Sequence, residues 1–217
     1  TIDGQKIGKS LGNAIDPGEI AKIHGLDALR YFLAREIPFG SDGDFSYERF
    51  SQLYESDLSK GIGNFVSRVL AMAEKVDDGA LEKVEELSES ERIAKRVAEV
   101  WQEYEEAFEQ TRPDAALEAV WHLISFGDRF VEEKKPWAIL KENKEEYTRI
   151  MGALLELVRQ VSVLLYPFMP ETVLKIWRQL GIGDQHKDVY LVAMKGWRAI
   201  PIKHVIREGV LFTPIVA

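Results

Sequence analysis

Two lysines and a serine stand within five residues near the start of the chain, at Lys6, Lys9 and Ser10. Glycines surround them in the stretch GQKIGKSLGN, and glycine permits the tight backbone turns that gather N–H groups and cations around an anion. Such a stretch could bind phosphate. Composition alone favours a simpler interpretation, a flexible and solvated leader, so the rest of the chain has to decide between the two.

The other residue types that carry chemistry do not form recognisable sites. The chain has no cysteine, which excludes disulfides and thiolate metal sites and fits a reducing compartment. Its four histidines lack metal-ligand spacing, so no metal site is predicted. Asp42 and Asp44 lie among Pro38, Gly40 and Gly43, where turn and capping roles are expected. No Ser-His-Asp or Cys-His arrangement has catalytic spacing.

The elements that would position these residues are predicted to be helices. Capping residues predict helix starts at Asp16, Ser46, Ser88, Asp114 and Asn143. We expect a break near Gly61 and Gly63, and VYLVAM (189–194) is the best strand candidate in an otherwise irregular C-terminal tail. Apolar stripes at helical spacing and short loops predict an all-α antiparallel bundle. Residues 1–45 would form a loop with connecting helices, and residues 46–217 the bundle and tail.

Charge and hydropathy narrow the possible partners. An apolar content of 46% supports a real core, and the net charge of −8 argues weakly against a nucleic-acid partner. The acidity is concentrated in one block, residues 74–92 and their continuation, so total charge does not exclude a positive surface elsewhere. The longest apolar stretch, residues 151–169, is interrupted by Glu156, Arg159 and Gln160, so no membrane-spanning helix is predicted.

Several patches, in order along the chain, resemble one enzyme family. KIGKSLGN resembles the K-M-S-K-S signature loop of class I aminoacyl-tRNA synthetases, with Ile7 and Gly8 in place of Met and Ser. Four further stretches are similar to segments of methionyl-tRNA synthetases: HGLDALRYFLAREIPFGSDGDFS, SDLSKGIGNFVSRVL, KKPWAILKE and VLFTPI. Glu55 stands where that family often has asparagine. The resemblance implies a C-terminal part of the enzyme, with its signature loop, connecting helices and anticodon-binding bundle.

The resemblance gives the cationic loop a role. It implies that Lys6, Lys9 and Ser10 belong to a loop that closes over ATP phosphates and stabilises charge on the leaving pyrophosphate, with Lys9 the main contributor. The whole enzyme would use ATP with Mg²⁺ to attach methionine to its tRNA in the cytoplasm. This chain alone is expected to be inactive and to bind no cofactor, because the ATP and methionine sites would lie in a missing N-terminal catalytic half. Neither a membrane nor DNA is an expected partner.

The resemblance also implies that Asn64, Arg68 and Trp137 recognise the CAU anticodon of methionine tRNA, with Trp137 against the first base. Asn64 and Arg68 are four residues apart, so on a helix they share a face where an amide and a guanidinium can read a base edge and hold phosphate or ribose. Trp137 follows Pro136 outside any apolar stripe, where its ring can stay exposed and stack on a base. The simpler interpretations are a surface pair and a partly buried anchor. Three other tryptophans lie within helical patterns and are expected in the core: Trp101, Trp121 and Trp177.

Other functions stay open from the sequence. The same region of a leucyl, valyl, isoleucyl or cysteinyl enzyme would share the loop and a helical bundle, although the Asn64/Arg68 pair with Pro136-Trp137 favours the methionyl member. A stand-alone tRNA-binding or protein-docking module is a different class of function. It would have no use for a loop that closes over ATP. A purely structural bundle is the remaining alternative.

Overall fold

Helices make up the architecture of this chain. The computed structural model describes residues 1–8, 15–77, 80–81, 88–182, 191–197, 202 and 204–215. Within these ranges the elements are α1 (Pro17–His24), α2 (Leu26–Glu36), α3 (Tyr47–Leu53), a π-helix (Tyr54–Gly63), α4 (Asn64–Ala73), α5 (Ser88–Glu109), α6 (Pro113–Lys134), α7 (Pro136–Glu142), α8 (Lys144–Leu165), α9 (Pro170–Gln179) and α10 (Leu191–Met194). The predicted all-α bundle is confirmed.

Helix α8 forms the centre of the bundle. It packs against α4, α5, α6, α7 and α9, and every residue from 153 to 165 is buried. The charges that interrupt its apolar run are buried and paired, since the Arg159 guanidinium and the Gln160 amide both donate to the carboxylate of Glu156, at 2.6 and 3.0 Å. Among the helices of the described ranges, none is both long and apolar enough to span a membrane.

The tryptophans predicted in the core lie there or against it. Trp101 and Trp177 are buried, and their indole N–H groups donate to side chains of α8. Trp121 is half-buried, packs against the core and stacks on the ring of Tyr31 with 4.7 Å between centroids. Because Trp121 is on α6 and Tyr31 on α2, this stack joins the connecting helices to the bundle.

Local side-chain caps account for three of the helix starts in the described ranges. Three predicted N-caps are confirmed, each with a side-chain oxygen that accepts a backbone hydrogen bond at 2.8 to 3.0 Å: Asp16, Ser46 and Asn143. The predicted cap at Asp114 is wrong, because α6 already begins at Pro113 and the Asp114 carboxylate pairs with Arg112 at 2.9 Å. The Ser88 side chain, expected to cap α5, lies outside the described residues.

The expected break at Gly61 and Gly63 is wrong. The chain passes from α3 through the π-helix into α4, and the π-helix forms backbone hydrogen bonds across five residues rather than four. A Cβ on Gly63 would lie 2.8 Å from the carbonyl oxygen of Leu58, and one on Gly61 would lie 3.1 Å from that of Ser56. The glycines therefore permit this backbone geometry instead of ending the helix.

The C-terminal region is irregular, as predicted, apart from one helical turn. The predicted strand 189–194 is wrong where it is described, because residues 191–194 form α10. Residues 189 and 190 lie outside the described part of the chain.

Candidate nucleic-acid interface

A sharp corner between α6 and α7 exposes Trp137. Lys135 adopts the left-handed conformation, with φ 46° and ψ 60°, and so turns the chain between the two helices. Pro136 follows as the first residue of α7 and is buried, which fixes the start of that helix. The next side chain, Trp137, is 44% exposed, an unusual fraction for a tryptophan. An exposed ring at a helix boundary is what the sequence predicted at this position.

Helix α4 carries Asn64 and Arg68 on its outer side. Asn64 is exposed and Arg68 half-exposed, whereas Phe65, Val66 and Val69 are buried. The apolar residues thus hold α4 against the bundle and leave the amide and the guanidinium toward solvent. The two side chains share a face, as their spacing predicted.

Two carboxylates of α6 bind the Arg68 guanidinium. Its Nη1 lies 3.2 Å from Oδ1 of Asp128, and its Nη2 lies 2.5 Å from Oε1 of Glu132. Sequence reasoning missed both partners. Their own spacing of four residues placed them on one face of α6, but nothing local indicated which helix this face would meet.

These contacts connect the candidate residues. Arg68 is held by the last part of α6, and Glu132 precedes Trp137 by only five residues around the α6–α7 corner. Asn64 lies one helical turn before Arg68 on α4. The structure therefore places Arg68 against the C-terminal part of α6, from which the chain continues to Trp137, and keeps Asn64 on the same helix as Arg68.

The charges around Arg68 determine which ligands its guanidinium can bind. Burial raises the pKa of the Asp128 carboxyl above its ordinary value, the Arg68 guanidinium acts in the opposite direction, and the Glu132 carboxylate adds to the rise. Asp128 is thus a carboxylate that is costly to keep charged, and Arg68 offsets part of that cost. An incoming anion has to compete with both carboxylates for Arg68.

Close packing at Gly127 fixes the distance between α4 and α6. A Cβ at this position would lie 2.6 Å from Cζ of Phe65 on α4 and 2.9 Å from Cδ2 of Leu157 on α8. Gly127 immediately precedes Asp128, so the residue that allows the helices to approach also brings the Asp128 carboxylate to Arg68.

The base of the predicted phosphate loop is anchored to residues 43–45. The backbone N–H of Gly4 donates to Oδ1 of Asp44 at 2.9 Å, and the N–H of Asp3 donates to the carbonyl of Phe45 at 3.0 Å. Hydrogen bonds from the Thr1 hydroxyl and the Gly4 amide lower the pKa of Asp44. Lys6 is exposed, whereas Lys9 and Ser10 lie outside the described residues.

The C-terminal tail is fixed to the π-helix at two points. The Tyr54 hydroxyl donates to the carbonyl of Thr213 at 3.0 Å, and Oε1 of Glu55 accepts from the Ile215 N–H at 2.6 Å. Phe212 packs edge-on against the Tyr54 ring, with 5.9 Å between centroids. Glu55, which departs from the asparagine common in the resembling family, therefore makes a specific tail contact.

Comparison with known proteins places both regions in one family. Residues 1–70 match the family described as tRNA synthetases class I (M), and residues 76–212 match the family described as anticodon binding domain of methionyl tRNA ligase. A methionine–tRNA ligase of Caldanaerobacter subterraneus subsp. tengcongensis is 38% identical over 84% of this chain and 29% of its own length. That of Thermotoga maritima is 34% identical over 100% of this chain and 34% of its own length.

Solved structures agree with the sequence relatives. The methionyl-tRNA synthetase of Mycobacterium tuberculosis, in complex with methionyl-adenylate, superposes with a TM-score of 0.83 at 26% identity, over 97% of this chain and 42% of that one. The chain thus spans about a third of the length of the curated relatives it matches.

Proposed function

Because this chain belongs to the methionyl-tRNA synthetase family, we propose that its bundle binds the CAU anticodon of methionine tRNA through Trp137, Arg68 and Asn64. The observation that carries the proposal is the exposure of Trp137 at the α6–α7 corner, which follows in sequence the part of α6 that holds Arg68. A core tryptophan would be buried there, whereas a base platform needs an open ring face.

Each of the three side chains has a distinct task in this proposal. The Trp137 ring stacks on the first anticodon base, and the left-handed Lys135 and buried Pro136 form the corner at which the ring is exposed. The Arg68 guanidinium exchanges a carboxylate partner for a base edge or phosphate oxygen, while Asn64 offers an amide donor and acceptor on the same helix face.

In the whole enzyme, the function extends to attachment of methionine to this tRNA with ATP and Mg²⁺, in the cytoplasm. The loop that carries Lys6, Lys9 and Ser10 lies over the ATP phosphates, and its lysines stabilise negative charge as pyrophosphate leaves. The hydrogen bonds of Asp44 and Phe45 to residues 3 and 4 hold one end of this loop.

Titration with the anticodon stem-loop of methionine tRNA tests the proposal. The chain is expected to bind the CAU stem-loop at low salt, where phosphate contacts are strongest. A stem-loop whose first anticodon base is changed from C is expected to bind more weakly. Equal affinity for the two stem-loops, or no binding at low salt, would contradict the proposal.

A further inference from the structure

Side chains of helix α2 form hydrogen bonds with the turn between α8 and α9 and with the first turn of α9. Oδ2 of Asp27 accepts the backbone N–H of Thr172 at 2.6 Å, in the first turn of α9. One helical turn later, Arg30 donates from Nε to the carbonyl of Phe168 at 3.0 Å and from Nη2 to the carbonyl of Pro167 at 2.8 Å. More than 130 residues separate each side chain from its partner in sequence.

The two side chains match the charge of the backbone groups that they bind. The N-terminus of a helix presents unpaired N–H groups and favours a carboxylate. Arg30 instead binds two carbonyls of the turn that follows the last residue of α8, Leu165. The N-cap residue of α9, Met169, provides no side-chain cap, so the cap is supplied by Asp27 from another helix. Asp27 is 4% exposed, and its Oδ1 has no partner among the described residues, so the α9 terminus is the partner of its charge.

Helix α2 also leads toward the phosphate loop. It ends at Glu36, and the following segment reaches Asp44 and Phe45, which hydrogen-bond residues 3 and 4 at the base of that loop. The turn between α8 and α9 is therefore bound to α2 through Asp27 and Arg30, and the chain that follows α2 is hydrogen-bonded to the loop base.

We propose that Asp27 and Arg30 are positioning residues that couple the anticodon bundle to the catalytic part of the enzyme. The inference rests on the proposed function, because coupling matters only if the bundle binds the anticodon. With both contacts in place, tRNA held at the bundle is presented to the catalytic part in one fixed orientation. Without them, the anticodon still binds, but the acceptor end is presented less often to the methionyl-adenylate.

The test compares two helix caps in the full-length synthetase that contains this sequence. Asp27→Ala removes the cap of α9 that crosses from α2, whereas Asn143→Ala removes the cap of α8 that is internal to the bundle. Three quantities are measured below the melting temperature of every variant: charging of whole tRNA, methionine-dependent ATP–pyrophosphate exchange, and affinity for the anticodon stem-loop.

Asp27→Ala is expected to lower kcat/KM for charging by about tenfold, within the usual range of coupling between sites. Exchange and stem-loop affinity are expected to stay within about twofold, since neither needs the bundle and the catalytic part to be aligned. Asp27→Asn keeps an oxygen that accepts from Thr172 and is expected to restore most of the charging rate. Arg30→Gln, which loses one of two carbonyl contacts, is expected to give an intermediate loss.

Two results would overturn the inference. Equal loss of charging in Asp27→Ala and Asn143→Ala would mean that any missing cap has this effect through stability alone. Parallel loss of exchange and charging in Asp27→Ala would mean that the residue supports the catalytic site itself.

Amide hydrogen exchange separates this inference from the proposed function. Asp27→Ala is expected to accelerate exchange of the Thr172 N–H but not of the Glu146 N–H, which Asn143 caps. Unchanged exchange of the Thr172 N–H in Asp27→Ala would contradict the cap of α9 by Asp27, even if the stem-loop binds. Failure of the wild-type stem-loop titration would instead contradict the anticodon function while leaving the Thr172 result interpretable.

Discussion

Arg68 of α4 binds Glu132 of α6 with 2.5 Å between Nη2 and Oε1, five residues before the exposed Trp137. If Arg68 also contacts the tRNA, Arg68→Gln removes a charged hydrogen bond and is expected to weaken stem-loop binding by about 10- to 150-fold. The slope of log affinity against log salt is expected to fall by about one where the lost partner is a phosphate. Stem-loop titrations at several salt concentrations measure both effects.

Arg49→Gln is the matched control for this prediction. Arg49 also donates two hydrogen bonds to a carboxylate, that of Glu36, at 2.7 and 3.0 Å, but it lies on α3, away from the α6–α7 corner. Its loss changes the net charge by the same amount and is expected to leave affinity nearly unchanged. If both variants weaken stem-loop binding equally, the effect of Arg68→Gln comes from the change in net charge and not from a specific contact.

Trp137→Ala is expected to weaken binding of the CAU stem-loop by about 1–3 kcal/mol, roughly 5- to 150-fold, through loss of stacking on a base. Its effect on the melting temperature is expected to be small, because the side chain is 44% exposed. Titration beside a melting curve measures the two quantities. A large fall in melting temperature with unchanged affinity would make Trp137 a packing residue.

Trp177→Ala is expected to lower the stability of the fold, in contrast to Trp137→Ala, which is expected to lower stem-loop affinity. Trp177 is fully buried, and its indole N–H donates to Oγ of Ser162 at 2.8 Å. Truncation leaves a cavity and removes one donor to Ser162, whose O–H still donates to the carbonyl of Arg159, so the free energy of unfolding is expected to fall by about 3–5 kcal/mol. Denaturant unfolding measures this change, and a loss below about 1 kcal/mol would show that the site collapses around the smaller side chain.

Gly127→Ala is expected to destabilise the bundle by about 1–3 kcal/mol, because the added Cβ would overlap Phe65 and Leu157. Alanine usually stabilises a helix relative to glycine, so the sign of the effect is diagnostic. Gly209→Ala, where an added Cβ meets nothing within 4 Å, is the neutral control. A stabilised Gly127→Ala variant would contradict the close packing of α4, α6 and α8.

The anchor of the predicted phosphate loop, the hydrogen bond from the Gly4 N–H to Asp44, is expected to weaken in acid. The pKa of Asp44 is lowered in the folded chain, so the carboxylate contributes stability above its ordinary pKa and loses it as the pH falls through the folded value, below about 4. Amide exchange of Gly4, followed by NMR as the pH is lowered, measures the loss. Asp44→Asn keeps an acceptor without the titration and is expected to remove this pH dependence; persistence of the same transition in Asp44→Asn would assign it to another group.

The sequence predicted the features that depend on local chemistry. The caps at Asp16, Ser46 and Asn143 act within three residues, and the apolar stripe of α8 follows from its own spacing. The exposure of Trp137 was also predictable, because Pro136 starts a new helix outside the stripe of α6. These inferences require no knowledge of how the helices pack.

Contacts between distant segments were not predictable in the same way. Asp27 resembles an ordinary residue of a helix start, but its partner, Thr172, is 145 residues away. Asp128 and Glu132 resemble a solvated acidic face until α4 brings Arg68 against them. The prediction of a break at the glycines of the π-helix was wrong because glycine can end a helix and can equally permit an unusual helical geometry.

The π-helix from Tyr54 to Gly63 has a further consequence for insertions and deletions. Each α-helical residue advances the chain by about 100° around the axis, and a π-helical hydrogen bond encloses one more residue than an α-helical one. If one residue is deleted here, a π turn can convert to an α turn, which encloses one residue fewer. The Arg68 side chain then keeps its direction around the helix axis. Conversion without a deletion would instead rotate Arg68 away from Asp128. This stretch is thus where the chain can lose a residue and still present the same face of α4.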